Sequence, residues 1–73
     1  MANYRIVLTP SSDEELLYQL DITCRDGAEA KNQASAYLAM SGSKFKSAVV
    51  LSQWKSPISW RQAFDPITNN FNL

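Results

Sequence analysis

Residues 16–24 read Leu16-Leu17-Tyr18-Gln19-Leu20-Asp21-Ile22-Thr23-Cys24, and they support two incompatible assignments. As a strand, Leu16, Tyr18, Leu20, Ile22 and Cys24 fall on one side, an apolar set at period two. As a helix, residues 13–20 would start at a capping box, Ser12 followed three positions later by Glu15. Asp13, Glu14 and Glu15 would then sit at the positive end of the helix dipole. The alternation runs unbroken to Cys24, so a strand is expected.

With that strand in place, the flanking segments fall into order. Upstream, Tyr4-Arg5-Ile6-Val7-Leu8-Thr9 is rich in β-branched and aromatic residues, and Pro10 ends it. The polar turn Ser11-Ser12-Asp13-Glu14-Glu15 would join the two strands as an antiparallel hairpin. Downstream, Asp26 and Glu29 form a second capping box ahead of the Ala-rich residues 28–40, the strongest helix signal in the chain. Ala30, Ala34, Tyr37, Leu38 and Ser41 make its expected buried stripe, and Gly42 its left-handed cap. Residues 44–54 read as a long strand that is apolar on both faces around Ala48-Val49-Val50-Leu51, hence central or doubly covered. After a turn at Lys55-Ser56-Pro57, Ile58, Trp60, Gln62 and Phe64 alternate as a final strand. The expected fold is α+β: a small, mostly antiparallel sheet with one covering helix, in the order β-β-α-β-β. Residues 1–66 would form one compact domain. Residues 67–73 would be a polar C-terminal tail, frayed or docked through Phe71 and Leu73.

Composition narrows the function classes. The chain has 73 residues, 45% of them hydrophobic, against a usual domain of roughly 100–200 residues. A chain this short buries only about 60% of its unfolded surface, so association with a second chain would add to a thin core. There is no histidine, the usual general base near neutral pH. The lone Cys24 can close no intrachain disulfide and is expected to be buried and inert. Neither a thiolate-rich nor a calcium-loop metal set is visible, and Gly27 and Gly42 alone make no phosphate loop. No catalytic residue, metal, cofactor or small-molecule substrate is therefore expected. The longest apolar run, Ala48-Val49-Val50-Leu51, falls far short of the ~20 residues a membrane helix needs. No basic start leads into an apolar export segment, so a cytoplasmic protein is expected.

Charge supplies the clearest pattern. The chain is neutral overall, yet residues 1–30 carry a net −4 and residues 31–73 a net +4. Three surfaces follow as candidates. Asp13, Glu14, Glu15 and Asp21 could form an acidic loop that binds a protein. Lys44, Lys46, Trp54, Lys55, Trp60 and Arg61 interleave cations with aromatic rings, as a face for single-stranded nucleic acid would. Val7, Leu17, Val50 and Trp54 could form an apolar oligomer surface on the sheet side away from the helix. The leading expectation is a small intracellular protein–protein interaction module, its partner another protein or a second copy, acting by blocking a surface. Inhibitors and accessory factors of phages and mobile elements are often this small. The alternatives are a single-stranded nucleic-acid-binding protein and a minor structural subunit of a larger assembly.

Overall fold

β1 (Ala2–Pro10) and β2 (Tyr18–Cys24) pair antiparallel, from Ala2 opposite Cys24 to Leu8 opposite Tyr18, in a computed structural model that describes residues 1–54 and 56–68. Residues 18–24 are thus a strand. The first capping box closes a turn instead of starting a helix: the Glu14 N–H donates to Ser12 Oγ at 3.2 Å and the Glu15 N–H to the Ser12 carbonyl at 3.3 Å. β2 starts two residues later than the alternation suggests. Leu16 and Leu17 precede it, 90% and 62% exposed.

The second capping box does start a helix, α1 (Gly27–Met40). Asp26 Oδ1 accepts the Glu29 N–H at 3.0 Å, and Glu29 Oε1 reaches back to the Arg25 N–H at 2.8 Å. Two of the N–H groups at the helix entrance are thereby satisfied. At the other end, the Ser41 N–H donates to the Tyr37 and Leu38 carbonyls, and Gly42 turns the chain away at φ +63°.

β3 (Phe45–Trp54) pairs with the other side of β1, so β1 is central and the sheet order is β2-β1-β3-β4, with β4 spanning Ser56–Gln62. Ser56 and Pro57, expected in a turn, belong to β4, and Lys55 lies outside the described residues. β5 (Ile67–Thr68) adds to β3 beyond β4, with Ile67 opposite Ala48 and packed on the core. The expected tail is therefore docked at its first two residues, while Phe71 and Leu73 lie outside the described residues.

Ile6 stands opposite Leu20 on one side and Val50 on the other, which fixes which residues share a face. Ile6, Leu8, Cys24, Ala48 and Val50 all point to the helix side, where they meet Ala30, Ala34 and Leu38. The two alanines let the helix lie close to the sheet. Val50 is 1% exposed under α1, which removes it from the expected oligomer surface. Tyr37, expected in the buried stripe, is 40% exposed on a flank of the helix. The helix packs chiefly on β3. One flank lies against the chain after β4, where Lys31 Nζ stands 5.3 Å from the Phe64 ring centre. Gln33, Tyr37 and Met40 lie on the other flank. A helix is about 10 Å wide and strands are about 4.8 Å apart, so one helix cannot roof four strands. Both edge strands are left partly uncovered: on β2 the helix-side Leu20 and Ile22 are half-buried and Tyr18 is exposed, and on β4 the helix-side Arg61 is exposed.

Candidate functional site

The outer edge of β2 joins three features. First, its backbone groups have no strand beside them among the described residues. Second, of the usual devices that discourage strand addition the edge carries one charge, Asp21, which Arg5 pairs. β2 reads Tyr-Gln-Leu-Asp-Ile-Thr-Cys, without lysine, arginine or proline, and its register with β1 has no bulge. The opposite edge differs: β4 contains Pro57 and Arg61, and its pairing with β3 shifts between Gln53 and Trp54. Third, apolar side chains border the β2 edge. Leu16, Leu17 and Tyr18 are exposed at its start, and Tyr37 and Met40 are exposed on α1. Gln33, Ala36, Tyr37 and Met40 line a shallow, mostly apolar hollow of about 260 Å³ along that helix. The hollow is formed by α1 itself, and the bare strand edge runs along β2.

The sheet face away from the helix has a different character. Arg5 forks onto Asp21, with Nε 2.8 Å from Oδ1 and Nη2 3.2 Å from Oδ2. The hydrogen bond from Arg5 holds the Asp21 carboxyl below its usual range and raises the guanidinium's own pKa. The same guanidinium lies 4.3 Å from the centre of the Trp60 ring, so the interaction runs from β2 across β1 to β4. Beside it, Asn3 Nδ2 donates to Gln53 Oε1 at 3.3 Å and Thr23 Oγ1 donates to Asn3 Oδ1 at 2.9 Å. Val7, Val49 and Leu51 are half-buried in this polar setting. The face is a hydrogen-bonded surface and not the bare apolar patch expected from Val7, Leu17, Val50 and Trp54. Of those four, Val7 alone is placed on this face. Leu17 lies before β2, and the Trp54 side chain is outside the described residues.

The other two candidates are also divided. Asp13, Glu14 and Glu15 are exposed together in the turn, but Asp21 stands on the sheet with its charge matched by Arg5. Trp60 opposes Gln53 on the open face, whereas Arg61 opposes Ser52, which shares the helix side with Tyr4. Lys44 lies in the turn before β3, its Nζ 5.6 Å from the Phe45 ring centre, and Lys46 is exposed near the start of β3. Lys55 and the Trp54 side chain fall outside the described residues. The described cations and rings of the nucleic-acid candidate therefore do not assemble on one face.

Leu16, Tyr18, Tyr37 and Met40 are the surface residues that pattern reading missed. The first three continue apolar stripes and read as core. Their exposure follows from where the helix sits, which no local spacing reports. Cys24 is buried, and its thiol donates to the Asp26 carbonyl at 3.4 Å. No described helix is long and apolar enough to cross a membrane. The chain matches no protein-family model, and neither a curated protein nor a solved structure proved similar to it.

Proposed function

We propose that the protein is a small intracellular interaction module that docks a protein partner on the β2 edge and the apolar hollow of α1. The observation that carries this reading is the contrast between the two sheet edges. β4 has a proline and a register shift, while β2 is regular, carries the single charge of Asp21 and begins at exposed Leu16, Leu17 and Tyr18; Tyr37 and Met40 are exposed on α1. An edge left this way accepts a further strand through backbone hydrogen bonds, and the hollow on α1 offers a second apolar contact. Exposed leucine and methionine in such a row mark an interface more often than a free surface. The action would be occupancy: the module blocks or bridges a surface and performs no chemistry of its own.

The test is native mass spectrometry of the chain purified from its own cells, with and without nuclease, repeated with Leu17→Asp and Met40→Asp. Both side chains are exposed, so the variants should fold. A protein complex, with a second copy or another chain, that survives nuclease and is lost in both variants supports the reading. Mass lost to nuclease, a complex indifferent to both variants, or a bare monomer overturns it.

A further inference from the structure

We draw no further inference here: the strongest candidate, the outer edge of β2 with Leu16, Leu17 and Tyr18 exposed at its start, belongs to the docking surface already described, and nothing in the structure shows what covers it.

Discussion

Arg5 holds the open sheet face together, because its single guanidinium meets a carboxylate on β2 and an indole near the far edge. The Asp21 carboxyl is lowered by Arg5, so its contribution to stability is present above the ordinary value of 3.8 and is lost as pH falls through the lowered one. Asp21→Asn should therefore lower the urea midpoint at neutral pH, and the gap from the parent chain should close in strong acid. A gap that persists in acid would show that the pair contributes something other than charge. At Gly42 the backbone is left-handed, φ +63°, and a Cβ would meet no atom within 4 Å. The cost of Gly42→Ala is then conformational alone, about 1 kcal/mol. Gly42→Asn should lose less, and equilibrium unfolding of the two variants checks the order.

Helix α1 depends on few side chains, which makes its contributions separable. Only Ala30, Ala34 and Leu38 are buried along it, so Leu38 is its main anchor. Leu38→Ala should cost about 2–5 kcal/mol by transfer and cavity terms. Small domains have roughly 5–15 kcal/mol in total, so this variant should melt far below the parent chain by calorimetry. Asp26→Ala removes the cap that accepts the Glu29 N–H and should cost about 1 kcal/mol, leaving a folded protein with a lower melting temperature. Should the two variants melt alike, the helix would be held by its cap as much as by its core contact. The helix itself was legible from Asp26, Glu29 and the alanines, since caps and propensity are local. The strand over residues 18–24 was legible from its alternation. Its late start was not, because Leu16 and Leu17 continue the apolar pattern without meeting the helix.

At the scale of the molecule, the placement of α1 over β3 divides the surface. One flank of the helix lies against Phe64, and the other carries the exposed Tyr37 and Met40. The open sheet face offers Trp60 already covered by Arg5, which occupies the ring surface a base would stack upon. Single-stranded oligonucleotides at low salt should accordingly leave tryptophan fluorescence unchanged, and salt-sensitive quenching would restore the nucleic-acid alternative.

The sequence by itself determined the order β-β-α-β-β and the buried face of β1, because periodicity, capping boxes and turn residues act over a few positions; it misplaced Val50 of β3 and read β5 as tail. It also determined that chemistry needing histidine or several thiolates has no residues to work with. Only the tertiary structure decided the strand order, the match of Asp21 with Arg5, the separation of Trp60 from Arg61, and the exposure of Leu16, Tyr18 and Tyr37. Each depends on which strands lie side by side and which of them one helix covers. A single helix is too narrow for a four-stranded sheet, and the packing that selects the covered strands is a property of the whole chain.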